Sequence, residues 1–75
     1  MEIMEPSPLP PTFLNGAPHP LSAPIPVDRF LEALGLAGKP VVVELNQEAI
    51  FPRDYAATLI VPGARIEIVT LAAGG

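Results

Sequence analysis

The sequence predicts an α+β domain in which one amphipathic helix packs across one face of a mixed sheet of four to five strands. Three observations carry that expectation. The stretch "VDRFLEALGL" places Val27, Phe30, Leu31 and Leu34 at i, i+3, i+4 and i+7, the spacing of one helical face. The runs "VVVELN" and "RIEIVTL" are rich in β-branched strand formers. A lone helix cannot form a core, and neither can an open sheet, so stacking one on the other is the arrangement that buries both apolar sides.

The elements follow in order. Seven of the 11 prolines lie in the first 24 residues, and "PSPLPP" at Pro6 to Pro11 reads as a polyproline-like lead-in. Residues 1–11 are therefore expected to be a mobile extension, 12–71 the folded domain and 72–75 a flexible tail. "TFLNGAPHPLS" reads as a β-hairpin: a short apolar run, the Asn15-Gly16 turn, and a return run around Leu21. Pro18 and Pro20 suit the return strand to a sheet edge. The helix follows, with Pro26 in its first turn, Asp28 near its amino end and Gly35 as its stop.

After the Gly38-Lys39-Pro40 break comes the strand "VVVELN", and Asn46-Gln47 turns it back into a short run at Ala49 to Phe51. Pro52, Pro62 and Gly63 punctuate the next stretch, which leaves room for one helical turn near Asp54 to Ala57. "RIEIVTL" is the last strand. This order of elements is that of a β-grasp.

Alternation assigns the faces. Ile66 and Ile68 are expected to point toward the helix, with Glu67, Val69 and Leu71 opposite. Val41, Val43 and Leu45 point inward, with Val42 and Glu44 opposite. With Leu14 inward, Phe13 is outward. The open face then carries Phe13, Val42, Val69 and Leu71, which become candidates for docking a partner.

Composition excludes several functions. At 75 residues the chain is one domain with a small core, since domains of this size bury only roughly 60% of their unfolded surface. A net charge of −4, with only Lys39, Arg29, Arg53 and Arg65 as cations, argues against a nucleic-acid partner. The absence of cysteine excludes disulfides, thiolate metal sites and a thiol nucleophile. No apolar run approaches the ~18 residues of a membrane span and no export signal is evident, so a cytoplasmic location without membrane contact is expected. His19 stands alone between two prolines and reads as a surface residue; Arg53 and Asp54 read as an exposed ion pair. Ser7 and Ser22 lie in proline-rich segments without a base in reach. The chain is expected to be a substrate of enzymes, and not itself an enzyme.

The ending "LAAGG" needs its own explanation, because two glycines bury nothing and cost entropy when ordered. Lacking Cβ atoms, Gly74 and Gly75 can thread a narrow channel, and five extended residues from Leu71 span roughly 17 Å. The glycines therefore suit another protein's active site. A terminal carboxylate, ionised above about pH 3.5, needs activation before a nucleophile can attack it.

The Asn15-Gly16 hairpin turn, the helix "VDRFLEALGL", the stretch "VVVELNQEAIFPRDY" and the ending "PGARIEIVTLAAGG" together resemble the ThiS family, sulfur carriers of thiamine thiazole biosynthesis with a ubiquitin-like β-grasp fold. The resemblance covers about Thr12 to Gly75. It departs from the family's usual pattern at Gln47, where a glycine is common, and at Ala64, where an acidic residue is common. The resemblance implies that a ThiF-like adenylating enzyme, using ATP and magnesium, activates the Gly75 carboxylate, with no cofactor bound by the carrier itself. A persulfide sulfur donor then displaces AMP, and the resulting thiocarboxylate delivers sulfur to a ThiG-like thiazole synthase. Two alternatives share the same tail: a sulfur carrier for molybdopterin or another sulfur-transfer pathway, and a ubiquitin-like protein modifier.

Overall fold

A computed structural model of the chain describes residues 9–71, so the expectations for residues 1–8 and for the tail 72–75 lie outside the described residues. The strands are β1 (Phe13–Leu14), β2 (Ala17–Pro18), β3 (Ile25–Pro26), β4 (Val41–Leu45), β5 (Glu48–Ile50), β6 (Leu59–Ile60) and β7 (Arg65–Thr70). The helix α1 spans Val27–Ala33, and a 3₁₀ segment spans Pro52–Ala57. Five strands form a mixed sheet in the order β2-β1-β7-β4-β5, with β7 parallel to β1 and antiparallel to β4. The helix lies across one face of this sheet, which is the β-grasp arrangement.

The helical stripe meets the strands' inward residues as alternation requires. Val27, Phe30 and Leu31 are buried against Val43, Ile66 and Ile68, and Ile60 and Ala64 complete the core. Fully burying an aliphatic or aromatic side chain stabilises by about 1.5–3 kcal/mol, so this small cluster carries the domain. Leu14, Val41 and Leu45 pack half-buried at its margin. Ala64, where the resemblance departs from the family's pattern, is 3% exposed and packs in the core as a small apolar side chain.

Several boundaries differ from expectation, each for a local reason. The hairpin's return strand is Ala17–Pro18, at the sheet edge; Leu21 lies beyond it and packs on the core without joining a ladder. Pro26 precedes the helix instead of lying in its first turn, because its extended backbone (ψ 147°) pairs it with Leu59. That pairing creates a second sheet, β3 with β6, which the sequence reading had not included. The Val27 N–H donates to the Thr58 carbonyl at 2.9 Å and ties the helix start to this small sheet. The short strand after the Asn46-Gln47 turn is Glu48–Ile50, and the 3₁₀ segment after it is six residues long, starting at Pro52.

The helix stops as expected at Gly35, whose φ of 76° favours glycine. The Leu36 N–H donates to the Leu31 carbonyl and the Gly35 N–H to that of Glu32, a Schellman pair that satisfies the last turn. Ahead of β1, Leu9 to Thr12 run beside the Pro62-Gly63 turn. The Gly63 N–H donates to the Thr12 hydroxyl at 2.9 Å, and a Cβ at Gly63 would stand 2.9 Å from the Pro10 ring. Glycine is needed there both for its φ of 98° and for that close approach.

Candidate functional site

The sheet face turned away from the helix is the candidate site, and the register of β4 against β7 sets its pattern. Val42 faces Val69 and Glu44 faces Glu67, with all four side chains on the open side. Val42, Val69 and Leu71 are exposed, while Val43 and Ile68 beside them are buried. The inward and outward assignment made from alternation therefore matches the structure at the positions it named, Val41 to Leu45 and Ile66 to Val69, with Thr70 exposed at the strand's end.

The face is polarised along β7. Its first half carries Arg65 and the opposed carboxylates of Glu44 and Glu67; its second half carries Val42, Val69 and Leu71. The apolar half lies at the end of β7. There the Leu71 N–H donates to the Pro40 carbonyl at 2.8 Å, one step beyond the Val41–Thr70 pair.

Phe13 lies across β7 from this patch, in register with Arg65 and toward the charged half. It is half-buried, and the Arg65 guanidinium sits 5.2 Å from the centre of its ring. Of the four candidate docking residues, Val42, Val69 and Leu71 are thus brought together, and Phe13 stands apart under a cation. Such a stacked pair contributes about 0.5–1 kcal/mol at an exposed site.

One exposed aromatic was not among the candidates. Phe51 is 57% exposed, and continuing the β4–β5 register (Glu44 against Ala49) by two residues sets it opposite Val42. Its face was recoverable from the Asn46-Gln47 turn, which fixes the pairing of the two strands. The Arg53 guanidinium lies 5.1 Å from the Phe51 ring and also 3.8 Å from the Asp54 carboxylate, in the exposed pair expected from the sequence.

The start of β7 is held by two asparagines. Asn46 donates its N–H to the Arg65 carbonyl and accepts the Arg65 N–H on Oδ1 at 2.9 Å. On the other flank, the Asn15 side chain accepts the Ile68 N–H at 2.7 Å and donates to the Ile68 carbonyl at 3.1 Å. Both residues have positive φ, 50° for Asn15 and 51° for Asn46, a region asparagine tolerates better than most. Asn15 thus replaces with its amide the next residue that β1 does not supply.

His19, expected at the surface, is half-buried with its ring edge-on to Phe30 at 5.2 Å. It borders a shallow hollow of about 410 Å³ lined also by Leu9, Pro10, Thr12 and Leu21. Among the described residues no three His, Cys, Asp or Glu side chains converge as a metal site. Among them, too, no helix is long and apolar enough to cross a membrane.

Comparison with known proteins shows the family. The chain covers 99% of a crystal structure of the thiamine biosynthesis protein ThiS from Geobacter metallireducens, over 87% of its own length, at 29% identity and a TM-score of 0.75. An NMR solution structure of a thiamine biosynthesis protein from the same organism matches at 29% identity and a TM-score of 0.72, with 87% of each chain covered. No curated protein matches the chain. The pattern of the ThiS family runs through residues 13–75, from the first strand through the terminal glycines. The chain belongs to the ThiS family.

Proposed function

We propose that this protein is a sulfur carrier of thiamine biosynthesis, acted on by enzymes and not itself a catalyst. The observation that carries the proposal is the position of the apolar patch: Val42, Val69 and Leu71 lie together at the end of β7, a few residues before Gly74 and Gly75 in the sequence. A partner seated on that patch has the terminus within reach, since five extended residues span roughly 17 Å. Docking and chemistry are then joined by a short tether, which raises the effective concentration of the reacting group.

The chemistry follows from the carboxylate. A Gly75 oxygen attacks the α-phosphorus of ATP in a ThiF-like adenylating enzyme with magnesium, and pyrophosphate leaves. The terminal sulfur of a persulfide donor attacks the acyl carbon and expels AMP. A second thiol then cleaves the sulfur–sulfur bond, leaving the Gly75 thiocarboxylate and a disulfide on the donor. The thiocarboxylate sulfur passes to a ThiG-like thiazole synthase, and the carrier returns to its carboxylate form. Gly74 and Gly75 supply the narrow cross-section that such active sites require.

Intact-mass measurement tests this reading. After incubation with a ThiF-type enzyme, ATP, magnesium and a persulfide donor, the expected product has one oxygen replaced by sulfur at Gly75. Deleting Gly75 is expected to leave the domain folded and to lower adenylation by about 100-fold or more, since misplacement of a reacting group by 1 Å already costs about that much. Unchanged pyrophosphate exchange in the deletion variant would sink the proposal. Attachment of the chain to a lysine of another protein, without sulfur incorporation, would favour a protein modifier instead.

A further inference from the structure

The register of the sheet sets two rows side by side on the open face. Glu44 of β4 stands opposite Glu67 of β7, with Ala49 of β5 on the other side of Glu44. Two residues along the strands, about 7 Å away, Val42 stands opposite Val69, and the register continued from Ala49 brings Phe51 beside Val42. Val42, Phe51 and Val69 are exposed, as are both glutamates. Like charges directly opposite each other weaken an antiparallel pair, and nothing among the described residues offsets this one. The ion pairs there join Arg29 to Glu32 and Arg53 to Asp54, and neither includes Glu44 or Glu67. Arg65 lies on the same face two residues before Glu67, but its guanidinium sits over the Phe13 ring at 5.2 Å, on the flank away from β4. Ala49 contributes only a methyl group.

We infer that the adenylating enzyme recognises this face by charge as well as by apolar contact: its surface covers Phe51, Val42 and Val69 and sets one basic side chain between Glu44 and Glu67. The inference deepens the carrier reading above and rests on it. An arginine fits best, because its planar guanidinium offers five N–H donors, enough to serve two carboxylates at once, while the adjoining apolar row keeps water from the contact. The pair that weakens the free domain thus becomes a point of attraction in the complex. It also selects: a carrier with a lysine at either position would set two cations together and be refused. Charged contacts at the margin of an apolar patch act mainly on the rate of encounter and on its salt dependence.

Two double variants of the full chain test this. Glu44→Gln with Glu67→Gln keeps the shape of both side chains and removes their charges. Glu32→Gln with Glu48→Gln removes the same charge away from the face, since Glu32 is on the helix and Glu48 stands opposite the inward Leu45. The first variant is expected to unfold at the native Tm or a few degrees above it, because the opposed charges are gone. Its KM as carrier in adenylation is expected to rise roughly tenfold with little change in kcat, the loss of one charge-assisted contact, and to depend less on salt. The second variant is expected to keep a KM close to the native one. An unchanged KM in the first variant, an equal rise in both, or a lowered Tm in the first overturns the inference. A native chain that is adenylated while the first variant is adenylated equally well removes this inference alone; a native chain that is not adenylated at all removes the carrier reading with it.

Discussion

At its start β7 is held from both sides, and at its end it is held from one. Arg65 exchanges bonds with the backbone and side chain of Asn46, and Phe13 and Asn15 donate to the Ala64 and Ile66 carbonyls on the opposite flank. Among the described residues, Leu71, six residues along, has one backbone bond, from its N–H to the Pro40 carbonyl. Burial instead alternates along the strand, with Ile66 at 1% and Ile68 at 8% exposed toward the helix and Val69 at 58% on the open face. One strand thus has two sides: Ile66 and Ile68 fix the core, and Val69, with Leu71 beyond it, lies on the open face where a partner is proposed to dock. Altering the inward side chains should cost stability, and altering the outward ones should cost binding.

The largest expected effect tests that division most directly. Ile68→Asp places a carboxylate in the core without a partner, at a cost of several kcal/mol against a total stability of about 5–10 kcal/mol for a domain of this size. Loss of the cooperative unfolding transition is expected. Val69→Asp, one residue on, points its charge into water and should lower Tm by only a few degrees, while weakening binding to the adenylating enzyme measured by calorimetry. If Val69→Asp unfolds the domain and Ile68→Asp does not, the register of the strand is wrong by one residue and its two faces have been interchanged.

A smaller effect is expected at the clamp. Asn15→Ala removes both side-chain bonds to Ile68 and leaves its N–H and carbonyl half-buried without those partners. A loss of about 2 kcal/mol, or a Tm fall on the order of 10 °C, is expected from chemical and thermal unfolding. Asn15→Gly separates the causes: it accommodates the positive φ and still lacks the amide, so it should recover only a minor part of the loss. Recovery to native stability would show that backbone strain, and not the amide, is what asparagine relieves at this turn.

These residues also show what local pattern could reveal. The helix was legible because Val27, Phe30, Leu31 and Leu34 repeat at 3.6-residue spacing, and the faces of β4 and β7 because five or six residues are enough for alternation to register. The pairing of Ile25–Pro26 with Leu59–Ile60 was not legible, since two-residue strands have no period and the first contains a proline. The Asn15-Gly16 turn was evident, but its side-chain bonds reach Ile68, 53 residues away, and nothing near Asn15 signals them. Pro40 read only as a break before a strand; that its carbonyl accepts the Leu71 N–H follows from the register of β4 against β7. The apolar members of the docking face followed from alternation, whereas Phe51 required the strand pairing as well.

The smallest expected effect lies in the second asparagine turn. Asn46 and Gln47 both adopt positive φ, 51° and 70°, as a two-residue hairpin between β4 and β5 requires. Asparagine tolerates this region, but glutamine has a Cβ that crowds the following carbonyl, at a cost of roughly 1–2 kcal/mol. The Gln47 side chain is exposed and takes no part in the hydrogen bonds that hold Arg65, which come from Asn46. Gln47→Gly relieves the crowding but adds backbone freedom to the unfolded chain, which offsets about 0.5–1 kcal/mol of the gain. A net stabilisation of about 0.5–1 kcal/mol is therefore expected, seen as a Tm rise of a few degrees without change in partner affinity. A fall in stability would show that the Gln47 side chain supports the start of β7 after all, and that the clamp there extends beyond Asn46.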